Sequence, residues 1–195
     1  MNKFRKRVFT PITLVSSLMK AVISSPILIA GLIKPATSRA LREKVMLATT
    51  SVNDCRYCSW VHTRAALNNG IDIEEVNQLL AGVTGNISDE KEAVAIIFAQ
   101  HYAEEMTKAS NEMKTTFNEA FKGRAKLEVL SYIYAIYFAN LAGNTFDALL
   151  ARFKGKKSED SSFFVEVLSS LISAPVLVAI MVQGSKDKTG RFDAL

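Results

Sequence analysis

Apolar residues recur at helical spacing along most of the chain, and few breakers interrupt them. Leu14 to Ile33 reads as one helix kinked at Pro26, or as two short ones, ended by Pro35. Thr37 or Ser38 then caps a helix over 38–52 with Leu41, Val45, Leu47 and Ala48 toward the core and Glu43 in its early turns. Asn53 and Asp54 interrupt the pattern and can cap a new helix that starts near Cys55. That helix runs to about Asn69 and meets Gly70 at its end. Asp72 and Glu75 have capping-box spacing ahead of a short helix over 73–82, and a turn over 85–88 follows. Asp89 to Lys108 reads as a long helix with Ala93, Ile96, Ile97 and Ala103 on its apolar side. Ser110 or Asn111 starts a shorter one to Phe121, ended by Gly123. Lys126 to Phe153 is the longest, rich in aromatics at Tyr132, Tyr134, Tyr137, Phe138 and Phe146. Lys154 to Ser161 reads as a solvated linker. A last apolar helix covers Phe163 to Val182, kinked at Pro175, and the tail from Gly184 frays. The pattern predicts an all-α fold.

Composition agrees. Apolar residues make up 49% of 195, with four prolines and nine glycines, enough chain for one domain with a full core. The formal charge of +5 is modest and forms no basic stripe interleaved with aromatics, so no nucleic-acid partner is expected.

The two ends raise the question of a membrane. The basic start MNKFRKR leads into an apolar run and resembles a signal peptide or anchor. Lys20, Pro11, Pro26 and several serines interrupt that run. Val8 to Met19 and Ala21 to Ile33 each fall short of the roughly 20 residues a spanning helix needs. Glu166, Pro175, Ser169, Ser170 and Ser173 count likewise against residues 163–183. The expectation is therefore an amphipathic or subunit-contact element, with membrane contact by the ends not favoured. Ser24 to Ala30 echoes Ser173 to Ala179, which reads as two similar helices that pack as a pair or in an oligomer.

The chemistry lies between Glu43 and His62. Cys55 and Cys58 are too close in sequence to staple distant elements, so the pair points to redox chemistry or metal binding. A cysteine in the first turn of a helix faces unpaired N–H groups and the positive end of the dipole, which favour thiolate. Three-residue spacing puts both sulfurs on one face. His62 follows Cys58 by one turn, where its imidazole can take or return a proton, and Arg56 adds positive charge. A zinc site from Cys55, Cys58, His62 and His101 is arithmetically possible, and inert buried thiols are a third option that the polar neighbours Asn53, Asp54 and Arg56 count against. His101 on its amphipathic helix reads instead as a satisfied structural histidine, and Trp60 and Phe98 as core.

The spaced set of Glu43, Cys55, Cys58 and His62 resembles the signature of the AhpD-like alkylhydroperoxidases of the carboxymuconolactone decarboxylase superfamily. The likeness spans about Arg42 to Arg152 and includes HTRAALNNGI, FAQHYAEEMT and YFANLAGNTFD. It implies an all-α AhpD-like helical domain over 1–195. The core would be 38–153, and the kinked helices at either end would lie in extensions over 1–37 and 154–195. It implies a thiol-dependent hydroperoxide reductase, an antioxidant enzyme. Cys58 would be the peroxidatic thiol, Cys55 the resolving thiol, and His62 and Glu43 a proton relay. No bound cofactor or metal is implied. The partners would be a hydroperoxide, an external dithiol reductant of the lipoamide or thioredoxin-like kind, and further copies of the chain in a trimer or hexamer. The location would be cytoplasmic, in a bacterium, with a periplasmic or membrane-associated place as the alternative. Tyr57 stands where well-studied members carry a histidine, which removes one relay group. A cofactor-free decarboxylase-like enzyme and a non-enzymatic redox sensor or zinc module are the competing functions. If buried near His62, Glu43 should have a raised pKa unless His62 becomes charged.

Overall fold

Local chemistry sets most of the helix ends. The Thr10 hydroxyl accepts from the Thr13 amide, the Thr13 hydroxyl accepts from the Thr10 amide, and Pro11 takes the first position, where no N–H is needed. Helix α1 (Pro11–Ile33) therefore begins three residues before the expected Leu14, and it continues through Pro26. The molecule was studied as a computed structural model in which residues 4–84, 87 and 89–185 are described. Among those residues the fold is all-α, with seven further helices and no strand. These are α2 (Arg39–Asn53), α3 (Arg56–Asn68), α4 (Ile73–Leu80), α5 (Glu90–Glu104), α6 (Asn111–Ala120), α7 (Gly123–Phe153) and α8 (Phe163–Ser185).

Two helices organise the packing. Helix α2 is buried from Val45 through Thr50 without a break, because it is sandwiched between α5 and α7 and also meets α3 and α4. Helix α7 buries Tyr132, Ile133, Ile136, Tyr137 and Leu141 and carries α1 and α8 against it. The Phe9 amide donates to Thr145 Oγ1 near the end of α7, and the Ala36 amide to Glu128 near its start, so α1 runs antiparallel to α7. Arg152 meets Glu166 across the short linker, so α8 also runs antiparallel to α7 and hence parallel to α1. On the far side, Phe98 stacks on Phe117 with ring centres 4.2 Å apart, and Phe117 on Phe121 at 5.2 Å.

Several expected boundaries shift, each for a local reason. Helix α5 stops at Glu104 rather than Lys108, because Met106 and Thr107 adopt φ of 47° and 78° and the Thr107 amide turns back to Tyr102 O. Gly123 opens α7 instead of merely closing α6, so the longest helix starts three residues before Lys126. Asp72 caps α4 through the Glu74 amide. Glu75 leaves the capping box to pair with Lys44 at 2.5 Å. Ile97, expected in the core, is exposed. The linker is exposed as expected, apart from Ser158 and Ser161, which are buried. Residues 85, 86 and 88 of the expected turn, and 186–195 of the expected frayed tail, lie outside the described residues.

The junction between α1 and α2 hangs on one carboxylate. Glu128, fully buried, accepts from the Ala36 and Thr37 amides, the Thr37 hydroxyl and the Tyr132 hydroxyl, at 2.7–3.1 Å. Burial pushes its carboxyl up, but the bonds from Thr37, Ala36 and Tyr132 outweigh burial and hold it below its ordinary 4.5. A depressed carboxyl stabilises the fold above its unfolded pKa and loses that contribution as pH falls through its folded one. Glu128→Gln is expected to cost about 1.5–3 kcal/mol in urea denaturation at neutral pH. The gap to the unaltered protein should narrow at pH values well below the ordinary carboxyl range. A gap independent of pH would contradict the charged form.

Candidate active site

The site is built where α2 hands over to α3 without a loop. Asp54 takes the left-handed conformation, φ 52° and ψ 48°, which a short polar side chain tolerates, and its amide closes α2 on Thr50 O at 2.8 Å. Lys6 from the N-terminal segment pairs with the Asp54 carboxylate at 3.1 Å and donates to its carbonyl at 2.8 Å. The next residue, Cys55, is itself the N-cap of α3, with its sulfur accepting from the Cys58 amide at 3.4 Å. This corrects the expected cap at Asn53 or Asp54. Both belong to the end of α2, and the thiol takes the capping role that a Ser or Asp hydroxyl or carboxylate usually fills.

The two sulfurs lie 2.9 Å apart as free thiols, Cys55 donating to Cys58. Disulfide closure to roughly 2.05 Å needs only a small movement. Cys55 is fully buried and Cys58 is 5% exposed. The neighbouring Cys55 sulfur, with burial, pushes the Cys58 thiol well up. Of the two sulfurs, it is that of Cys55 that faces the helix amide.

Glu43 comes from α2 and His62 from the second turn of α3. Glu43 Oε2 lies 2.8 Å from His62 Nδ1, and Oε1 accepts from Arg42 Nε at 2.7 Å. Glu43 is 2% exposed, not a solvated surface carboxylate. Burial pushes its carboxyl up, but the hydrogen bond and charge of His62, then those of Arg42, outweigh burial and hold it below its ordinary value. The pKa of a buried Glu43 is expected to be raised unless His62 becomes charged; the charge of His62 lowers it, and Arg42 is a second partner that the sequence did not single out. His62 Nδ1 is engaged by the carboxylate, and His62 follows Cys58 by one turn of α3.

Tyr57 has a different duty. Its hydroxyl donates to Asp147 Oδ1 at 2.8 Å, and Arg56 bonds both the hydroxyl at 2.8 Å and Asp147 at 2.7 Å. Burial and Asp147 push the phenol up, so it stays protonated as a strut between α3 and α7. Arg56 is therefore committed to Asp147 rather than to the thiols.

Sequence reasoning missed three residues of α7 behind this arrangement. Gly143 lets the helix approach so closely that a Cβ there would lie 2.8 Å from Cys55 Sγ and 3.0 Å from Tyr57 Cδ2. Asn144 Nδ2 donates to Asn53 O at 2.6 Å, fixing the end of α2, and Asp147 holds Tyr57. A glycine inside a long helical pattern was the available signal of close approach. His101 Nε2 accepts from the Ser110 amide at 3.1 Å, the satisfied structural histidine expected. Among the described residues no group of three or more Cys, His, Asp or Glu is placed to hold a metal ion, so the conceivable Cys₂His₂ set does not assemble. Trp60 and Phe98 are buried, as expected of core. A cavity of about 430 Å³ lies beside Lys44, Glu75 and Glu92, and one of about 310 Å³ beside Lys20, Tyr102 and Tyr134. Neither is lined by the thiols or His62.

Residues 28–100 match the carboxymuconolactone decarboxylase family model, and Glu43, Cys55, Cys58 and His62 all lie within that span. The match bears out the resemblance over this part of the chain, and the family includes AhpD-like proteins. Its members are often enzymes, of decarboxylase or peroxidase-like kind. No curated protein and no solved structure matches the chain.

Proposed function

We propose that the protein is a thiol-dependent hydroperoxide reductase. The observation that carries this reading is the pair of free sulfurs 2.9 Å apart at the start of α3, one turn before a histidine held by a buried carboxylate. His62 Nε2 takes the Cys58 proton, and the thiolate attacks the terminal oxygen of the hydroperoxide. The O–O bond breaks, an alcohol leaves with the proton from His62, and Cys58 becomes a sulfenic acid. The Cys55 sulfur attacks Cys58, water leaves, and a disulfide forms. An external dithiol of the lipoamide or thioredoxin-like kind then reduces the pair by exchange, its own thiols becoming the disulfide. Glu43 orients His62 through the contact at Nδ1. The working assembly is a homo-oligomer, a trimer or hexamer, of one domain per chain.

Steady-state turnover tests this directly. Peroxide consumption should continue only while dihydrolipoamide or a reduced thioredoxin-like protein is supplied. One-time oxidation with no turnover under any dithiol would indicate a redox sensor. The matched family's name favours a second reading, a cofactor-free decarboxylase-like enzyme. Activity on a muconolactone retained by a Cys55→Ser/Cys58→Ser variant would establish it.

The relay has its own expected result. His62→Gln should slow Cys58 oxidation by about 10²–10⁴-fold, the usual worth of a positioned acid–base group. Glu43→Gln should slow it less, because the imidazole remains, and should shift the acid limb of the pH–rate profile. It should also remove the stabilisation that Glu43 supplies above the ordinary carboxyl range and loses as pH falls through its lowered pKa. Unchanged profiles in both variants would separate the two residues from the chemistry.

A further inference from the structure

Helices α1 and α8 are long and apolar enough to cross a membrane, with mean hydropathy 1.8 and 2.2, yet only 11% and 28% of their most apolar stretches are buried. Each turns a stripe at seven-residue spacing outward. Val15, Val22 and Ile29 on α1 are 55–60% exposed, and Phe164, Leu171 and Val178 on α8 are 57–73% exposed. An apolar surface spread over two neighbouring helices exceeds what scattered surface residues explain.

The two charges that made these segments look unsuited to lipid turn inward. Lys20 is the only charged residue of α1. Its ammonium turns inward, donating to the Tyr102 hydroxyl at 3.1 Å and lying over the Tyr102 and Tyr134 rings at 5.3 and 5.7 Å. Glu166 is the only charged residue of α8, and it is fully buried against Arg152 at 2.6 and 2.7 Å. Ser24 and Ser25 hydroxyls return to the Ala21 and Val22 carbonyls, and those of Ser170 and Ser173 to Glu166 and Ser169. Hydroxyls satisfied within their own helix can face hydrocarbon without an unpaired group. The outer face thus carries no ionised side chain.

The rim decides the occupant. At the shared starting end of the two helices, Arg5, Lys154, Lys156 and Lys157 are exposed, and the Phe4 amide joins the two segments at Lys157 O. At the far end of α1, Lys34 and Arg39 are exposed. Glu159 and Asp160 of the linker are exposed beside these cations, and the exposed Asp54 carboxylate next to the N-terminal segment is paired with Lys6. A second copy would bring the same cations to the same rim. An anionic bilayer neutralises them while the apolar stripes enter the boundary between headgroups and acyl chains. The geometry points to this: α1 and α8 form a face that docks the protein peripherally on an anionic lipid bilayer. Helix α8 also packs on α3, so the docked face adjoins the helix that carries the thiols.

Flotation of the full chain with phosphatidylcholine vesicles, with and without phosphatidylglycerol, tests the proposal. The protein should float with the anionic vesicles. Val22→Glu/Leu171→Glu should lower its partition at least about tenfold at unchanged helicity, since each side chain removes apolar burial and adds a charge to the face. Lys154→Glu/Lys156→Glu, which leaves the apolar face intact, should erase the preference for anionic over neutral vesicles. Failure of the unaltered protein to float would overturn the proposal. So would a Val22→Glu/Leu171→Glu protein that floats normally, including one that does so while its mass in solution falls to that of a monomer, which would show a second copy on the face.

Discussion

Cys58→Ser is expected to reduce hydroperoxide consumption by about a thousandfold or more, to the background of the uncatalysed reaction, because no other sulfur is placed to replace the nucleophile. Cys55 is the sole other cysteine, and it is fully buried. Cys55→Ser should behave differently. It should consume one equivalent of hydroperoxide and stop, with Cys58 held as a sulfenic acid that a dimedone-type reagent captures. The contrast between the two variants assigns the roles. If Cys55→Ser lost the first oxidation and Cys58→Ser kept it, the peroxidatic and resolving thiols would have to be exchanged. The assignment of Cys58 as the attacking thiol rests on its greater exposure and on its position one turn before His62 along α3.

Gly143→Ala should destabilise the fold and slow disulfide closure together. A methyl group there meets Cys55 Sγ at 2.8 Å and the Tyr57 ring at 3.0 Å. Neither neighbour can swing clear. Cysteine has one short side-chain torsion, and the Tyr57 hydroxyl is tied to Asp147 and Arg56. Alanine is the better helix former by roughly 1 kcal/mol, but overpacking a close-packed core costs about 1–3 kcal/mol, so the clash should win. Gly31→Ala is the natural comparison. Its Cβ would meet Glu128 Cγ and the Tyr132 hydroxyl, both at 2.9 Å, far from the thiols. It should lose stability by a similar amount with closure of the disulfide unaffected. Equal closure rates in the two variants, measured by rapid mixing with hydroperoxide, would remove Gly143 from the site.

The helices were legible because their boundaries rest on local chemistry. Ser38, Asp72 and Ser110 cap the helices that follow them, and Lys34 ends α1 one residue before Pro35. The misread ends lack such marks. Nothing in KAS announces that Met106 and Thr107 leave the helix at positive φ, and a glycine at 123 reads as a stop when it is a start. The four-residue set at the site was legible from spacing, because Glu43 and His62 meet across adjacent helices joined by a tight turn. What spacing does not carry is the contribution of α7, some ninety positions away. Gly143, Asn144 and Asp147 reach the thiol turn only through tertiary packing. Lys20 and Glu166 show the same limit from the other side. A charge in an apolar run reads as an obstacle to lipid until its partner on another helix is known.

The central claim is that Cys55 and Cys58 act as one redox unit. Intact-mass analysis and thiol counting after one equivalent of an alkyl hydroperoxide test it most directly. The account predicts loss of both free thiols, a mass lower by two hydrogens, and full recovery on adding a dithiol. Two thiols still free after the peroxide is consumed, or oxygen retained on the protein with no disulfide, would contradict it.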